Sequence, residues 1–379
     1  MLKAIINAKI IVNKRILKDF VIIFDKCIEN IVSNNELNNY ANCHIIDAKG
    51  AYLSAGFIDL HIHGSGGADT MDASYDALQT ISDTILQTGT TSFLATTMTM
   101  SNSSIINALV NIRDNVDLVN GASILGVHME GPFINPAQCG AQDTEFIQRP
   151  SMEIIDEFAP YIKMITLAPE VAGGMGFVKE INNKYPHIIL SIGHSNASYE
   201  ETKDSFTAGI SHATHLGNAM SGFHHRSPGV LGAVLDSDIT CDVIADSIHT
   251  HKASLRIFWE QKKDKLILIT DAMRAGCMKC GTYSLGGQAV TVTNGKATLA
   301  DGRLAGSVLR LNDALANMIK FTDMTLVEAI YSVTTAPAKK LGIKKGAIKA
   351  GYDADIVLFD EKLDILSTIV GGEIKYTKG

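Results

Sequence analysis

The stretch GFIDLHIHG, residues 56–64, decides how the rest of the chain is read. Ile58, Leu60 and Ile62 alternate with Asp59, His61 and His63, the two-residue period of a strand. On a strand both histidines point to one side, close enough to share one ion. Alone, the pair reads equally well as two polar residues at a strand end, so the remaining sequence has to decide.

Working outward, eight short β-rich runs follow one another: GFIDLHIH, TSFLATTM, SILGVHME, KMITLAPE, IILSIGHS, HATHLG, TCDVIAD and LILITDA. Most are followed by a helical segment. After TSFLATTM, for example, Ile105, Leu109, Ile112 and Val116 recur at helical spacing behind Ser101, a candidate N-cap. Eight βα units over about 220 residues predict a (β/α)8 barrel. An open doubly wound sheet is the alternative; it calls for a GxGxxG after an early strand, and the chain has none. A last helical stretch, 311–341, keeps Leu311, Leu315, Met318 and Ile319 on one face and is expected outside the barrel.

Both ends of the chain read as short strands with tight turns, and neither can cover both faces of a sheet by itself. The expected fold class is therefore α/β: a TIM-like barrel over residues 54–344, with a small β-sandwich domain built from both termini, 1–53 plus 345–379.

Hydrophobic residues make up 46% of the 379-residue chain and charged residues 19%, the composition of a well-packed soluble enzyme. The formal charge of −7 and the lack of a Lys/Arg-rich block argue against a nucleic-acid partner. The apolar N-terminus is interrupted by Lys3, Lys9, Lys14 and Arg15, so neither a signal peptide nor a membrane span is expected. Six scattered cysteines suit a reducing compartment, which predicts a cytoplasmic protein. The lone CxxC of Cys277 and Cys280 reads as free thiols.

The reactive residues fall at one kind of place. Glu130, His194, His215, His249 and Asp271 lie at or just past the C-terminal ends of predicted strands, as do His61 and His63. In a barrel those ends converge on one mouth, where active sites form. A single buried histidine is more often hydrogen-bonded filler; seven such residues at one rim are not. Glu130, His194 and His215 make a His2Glu set that suits a catalytic divalent ion. Asp271, on the last strand, returns beside strand one and can serve as general base.

With these residues in place, the motifs GFIDLHIHG, HMEGPF, GHSNA, THLGNAMS, SPGVLGA, IADSIH, LITDA and LAGS resemble, in order, those of the N-acetylglucosamine-6-phosphate deacetylases of the amidohydrolase superfamily. The resemblance runs through the closing GAIKAGYDADIVLFD. It implies a barrel flanked by a small β domain, hydrolysis of the acetamide of N-acetylglucosamine 6-phosphate in amino-sugar metabolism, and a divalent cofactor. Zinc is the first expectation, with iron, manganese or cobalt also suited. Residue by residue, it implies Glu130, His194 and His215 as metal ligands and Asp271 as the acid/base. Ala141, Asn218, Ala219 and the turn Leu304, Ala305, Gly306 would meet the sugar. Arg226 and His249 would hold the 6-phosphate, the arginine reaching the neighbouring active site of a homodimer. The galactosamine epimer, or another N-acyl substrate, is the alternative.

Three positions depart from some relatives. His61 and His63 stand where those carry uncharged residues, leaving one or two ions open. Gln142 stands where those carry a histidine that polarises the acetyl carbonyl; glutamine can donate a hydrogen bond there but cannot titrate. His128 shares a strand face with Glu130 and is expected to support the site.

Overall fold

The structure is a computed structural model and describes residues 1–40 and 42–379. Each of the eight predicted runs meets a strand of one parallel sheet, Phe57–Ile62, Thr90–Thr97, Ser123–Glu130, Ile162–Leu167, Ile189–Ile192, Ile210–Ala213, Thr240–Ile244 and Leu266–Ile269, although the run HATHLG shares only His212 and Ala213 with its strand. The sheet closes on itself. Asp271 N–H donates to the His61 carbonyl and His63 N–H to the Ala272 carbonyl, each at 2.9 Å, and Ile62 bridges Ala272 in parallel. Helices return the chain between strands. The helix Asn102–Asn115 starts at Ser101, whose hydroxyl accepts the Ser104 N–H, and it buries Ile105, Leu109 and Ile112 as their spacing predicts. Residues 311–341 form three helices, Leu311–Phe321, Leu326–Val333 and Thr335–Leu341, which pack against the outside of strands eight and one.

The small domain is two sheets. Four strands from the N-terminal segment, in the order Ile28–Ser33, Phe20–Phe24, Lys3–Ile6 and His44–Asp47, make one. The other has six strands and joins the termini: Ile356–Phe359 lies antiparallel to Tyr52–Ala55, which lies parallel to Lys9–Val12. Ile5, Ile22 and Phe24 of the first sheet share one apolar cluster with Ile10, Leu53, Ile356 and Ile369 of the second. Burying each such side chain contributes about 1.5–3 kcal/mol, so the two sheets form a sandwich that neither terminus could form alone. Tyr52 stacks on Phe359 at 5.6 Å, and Phe359 meets Phe57 at the foot of barrel strand one, tying the sandwich to the barrel.

Two small sheets were not anticipated, one of them the hairpin of Gly64–Ser65 with Ala68–Asp69. After strand eight the chain builds a three-stranded antiparallel sheet, Gly281–Leu285, Gln288–Thr293 and Lys296–Thr298. Its turns are Gly286-Gly287 and Asn294-Gly295, all with positive φ, the two-residue hairpin geometry that such pairs favour. Gln288 Nε2 donates to the Ala141 carbonyl at 2.8 Å, so this sheet leans over the barrel mouth.

Candidate active site

At the mouth, the two-residue period of strand one puts His61 and His63 on the inner face, with their Nε2 atoms 3.2 Å apart. The same period on strand three points His128 and Glu130 inward. The remaining three come from residues just past strand ends. His194, His215 and Asp271 have φ of 49°, 36° and 48°, the left-handed region that costs a non-glycine residue about 1–3 kcal/mol. Each is held there. Asp242 accepts the His215 N–H; the Asn135 N–H donates to the His194 carbonyl at 2.9 Å; Ser307 N–H donates to the Asp271 carbonyl at 2.8 Å. The left-handed residue turns the chain out of the strand in one step and swings its side chain over the barrel axis.

These groups converge on one spot. Glu130 Oε1 lies 3.2 Å from His194 Nε2, 3.0 Å from His215 Nε2 and 3.4 Å from His61 Nε2, while Oε2 lies 3.3 Å from His63 Nε2. Asp271 Oδ1 is 3.3 Å from His63 Nε2 and 3.5 Å from His61 Nε2. All six residues are buried. Nδ1 of His194 donates to the Gln138 carbonyl at 2.9 Å, and Nδ1 of His63 faces the Thr96 carbonyl at 3.3 Å, so both rings aim the Nε2 lone pair inward. The Nε2 atoms of His194 and His215 sit 3.2 Å apart.

The donors fit a divalent cation. Ligand atoms held at about 2.0–2.1 Å from one tetrahedral ion stand about 3.3 Å from each other, the spacing seen across this cluster. Two triads meet the condition, His61–His63–Glu130 and Glu130–His194–His215, and they share the Glu130 carboxylate. The electrostatics agree. Burial by itself would raise both carboxyls, but the surrounding imidazoles outweigh it, holding Glu130 well below the usual range and Asp271 at about 2. Burial would lower the imidazoles, yet Glu130 above all lifts His215 to about 9, and Asp271 and Glu130 together raise His63. Two buried, ionised carboxylates thus draw positive charge to one point, and a dication meets that demand.

Beneath the cluster the barrel interior is hydrogen-bonded rather than oily. His128 Nδ1 donates to the Leu60 carbonyl at 2.9 Å, which leaves Nε2 to accept from Thr166 at 2.7 Å. Thr166 accepts from Thr214 at 2.7 Å, and Thr214 from Ser191 at 2.5 Å. Burial keeps His128 neutral, its pKa well below the usual value. Asp59, missed by sequence reasoning, ties strand one to strand eight by accepting from His61 N–H at 3.2 Å and from the Thr270 hydroxyl at 2.6 Å. Burial raises its carboxyl to about 7. Asp242 was missed too; besides the His215 N–H it meets His212 Nε2 at 3.0 Å. Both are acids inside predicted strands, a signal available in the sequence.

Above the cluster opens a cavity of about 250 Å³. Ala141, Gln142, Asn218, Ala219, His249, Leu304 and Gly306 line it, and Ala305 is buried behind it. His249 is fixed by Asp246, which accepts from its Nδ1 at 2.6 Å and its N–H at 2.7 Å. Gln142 is engaged at both ends: Nε2 donates to Glu130 Oε2 at 2.5 Å and Oε1 accepts Thr99 N–H at 2.8 Å. One of the two Nε2 hydrogens thus holds the shared carboxylate. Arg226 does not line the cavity of its own chain; it lies on the exposed loop 222–227 with Nη1 on His225 at 2.7 Å. Met98, Leu285 and Arg303 line the cavity without having been foreseen. Leu285 lies in the unanticipated hairpin sheet and Arg303 in the loop after it; the sheet's TNGK and LGGQ turns were the available signal.

A closed parallel barrel with a His/carboxylate cation site on its C-terminal rim defines a metal-dependent hydrolase of the amidohydrolase type. The sequence profile of the amidohydrolase family matches residues 52–375, and the chain belongs to that family. It is similar to the N-acetylglucosamine-6-phosphate deacetylase of Bacillus subtilis (strain 168), 42% identical over 336 residues that cover 86% of this chain and 84% of the relative. The N-acetylgalactosamine-6-phosphate deacetylase of Escherichia coli O157:H7 is 33% identical, covering 85% and 87%. In three dimensions the chain is similar to the crystal structure of N-acetylglucosamine-6-phosphate deacetylase from Pasteurella multocida, with a TM-score of 0.95, 32% identity and 100% of both chains covered.

Proposed function

We propose that the chain hydrolyses the acetamide of N-acetyl-D-glucosamine 6-phosphate to D-glucosamine 6-phosphate and acetate. The observation that carries this reading is the Glu130-centred cluster with Asp271 at its edge, in a chain 42% identical to a deacetylase of that substrate. Glu130, His194, His215, His61 and His63 would hold the divalent metal, one or two ions per chain; imidazole and carboxylate ligands suit zinc first. Such an ion supplies Lewis-acid polarisation and a nucleophile from water near neutral pH.

The residues of the chain do the rest. Asp271, ionised and lining the cavity, takes a proton from the attacking water on its carboxylate and gives it to the leaving amine nitrogen, a role that contributes about 10²–10⁴-fold. Gln142 keeps Glu130 in place. Asn218, Ala219 and the turn from Leu304 to Gly306 shape the sugar pocket, and His249 stands ready for the phosphate.

Arg226 serves a neighbouring subunit in this reading, making the protein a homodimer: its loop is exposed, with Phe223 62% accessible beside it, and its guanidinium is outside its own cavity. Mixing inactive Arg226→Ala and Asp271→Asn chains would then restore part of the activity. A cytoplasmic location is supported by the six unpaired cysteines. No helix among the described residues is long and apolar enough to cross a membrane. A division into 1–53 plus 345–379 and 54–344 belongs to this reading and is supported by the separate sheets of the termini; the strand Tyr52–Ala55, paired within the six-stranded sheet, straddles its first boundary.

Acetate release from N-acetylglucosamine 6-phosphate, run beside the galactosamine epimer and the unphosphorylated sugar, tests the reaction. Preference for the first supports it. Preference for the epimer moves the assignment toward the reaction named for the E. coli relative, and no release from any of them overturns it.

A further inference from the structure

Among the side chains lining the cavity, Arg303 alone carries a permanent positive charge. It stands just before the Leu304–Gly306 turn, in the loop that follows the hairpin sheet. Two acceptors hold its guanidinium: Nε donates to Asp301 Oδ2 at 2.7 Å and Nη1 to the Gly140 carbonyl at 2.6 Å. Asp301 Oδ1 also accepts the Arg303 N–H at 3.0 Å, so one acid fixes the residue from two sides. A guanidinium has five N–H donors, and these bonds take one on Nε and one on Nη1. The second Nη1 hydrogen has only the Cys139 sulfur, at 3.8 Å, and the Nη2 edge is uncommitted.

The position matters as much as the charge. A Cβ placed on Gly140 would stand 3.4 Å from the His194 ring and 3.7 Å from Ala219 Cβ, so the carbonyl that anchors Arg303 belongs to the wall shared by the rim cluster and the sugar pocket. Arg303 is 48% and Asp301 51% exposed, so water screens this ion pair and leaves the guanidinium edge within reach of a solute.

We propose that Arg303 is a specificity-determining residue that binds the phosphate monoester of the substrate through its free Nη2 edge. This rests on the sugar-phosphate reading above. The alternative is a latch, in which Arg303 only fastens the hairpin sheet to Gly140.

The test uses metal-loaded protein in three forms: wild type, Arg303→Gln and Arg303→Lys. Glutamine keeps an N–H for the Gly140 carbonyl and drops the charge; lysine keeps the charge and drops the fork. Two ratios are read, kcat/KM for phosphorylated over unphosphorylated N-acetylglucosamine, and the calorimetric Kd of glucosamine over that of glucosamine 6-phosphate. The proposal expects Arg303→Gln to lower both ratios tenfold or more, through KM, with a smaller loss at high salt, and Arg303→Lys to keep most of each. Unchanged ratios in Arg303→Gln, or equal losses on both sugars, overturn it in favour of the latch. Should wild type turn over no sugar phosphate, the deacetylase reading fails, and the calorimetric ratio still decides whether Arg303 binds the anion.

Discussion

The sandwich and the barrel rim use the same backbone conformation for different ends. In the sandwich, Asn7, Asn13, Lys14 and Asp19 take φ between 48° and 63° at exposed turns, and Asn13-Lys14 closes a two-residue hairpin between Lys9–Val12 and Arg15–Leu17. At the rim, His194, His215 and Asp271 take φ between 36° and 49°, but they are buried. In the first case the conformation reverses the chain, and any residue that tolerates it will serve. In the second it aims a reactive side chain, so residue identity and conformation are both required. Strain at a turn is local housekeeping; strain at the rim is part of the site.

The comparison breaks most visibly at Glu130, the one residue shared by both triads. Glu130→Gln should lose bound metal at both positions, by elemental analysis, and lower kcat/KM by more than about 10³-fold, the scale on which groups acting as a unit fail. Where the wild type binds two ions per chain, His61→Ala should bind one, leaving the triad of Glu130, His194 and His215 loaded; two ions retained would mean that His61 is no ligand. Asp242→Ala removes the acceptor that holds His215 in its left-handed turn. Metal affinity should fall about 10- to 100-fold, as for other residues that orient ligands from behind. The smallest effect belongs to the sandwich. Asp19→Gly should change unfolding free energy by less than about 1 kcal/mol and leave turnover unchanged, since glycine adopts the same φ without penalty.

The barrel was legible because its signals are local. Each strand is a short apolar run, each returns after a helix, and the C-terminal ends carry the polar residues that a barrel gathers at one mouth. The two-residue period of residues 56–64 was enough to put His61 and His63 on one face. What was not legible depends on contacts between distant segments. Nothing near Gln142 indicates that its amide reaches Glu130, and nothing near Arg226 says which cavity it faces. Asp59 and Asp242 look like interruptions of apolar runs until the fold shows that each joins neighbouring strands at the rim. The hairpin sheet was legible in principle from Asn294-Gly295, but a sheet of short strands outside the βα repeat has no place in a barrel count.

The central claim is that a cation site on the rim works with Asp271 to cleave an acetamide. The most direct measurement is acetate release from N-acetylglucosamine 6-phosphate by Asp271→Asn, on protein whose metal content is determined in the same preparation. A folded variant with the wild-type metal content and a kcat reduced about 10²–10⁴-fold is the predicted result. Near-wild-type turnover at full metal content would contradict the account, because the proton would then be moving through some other group.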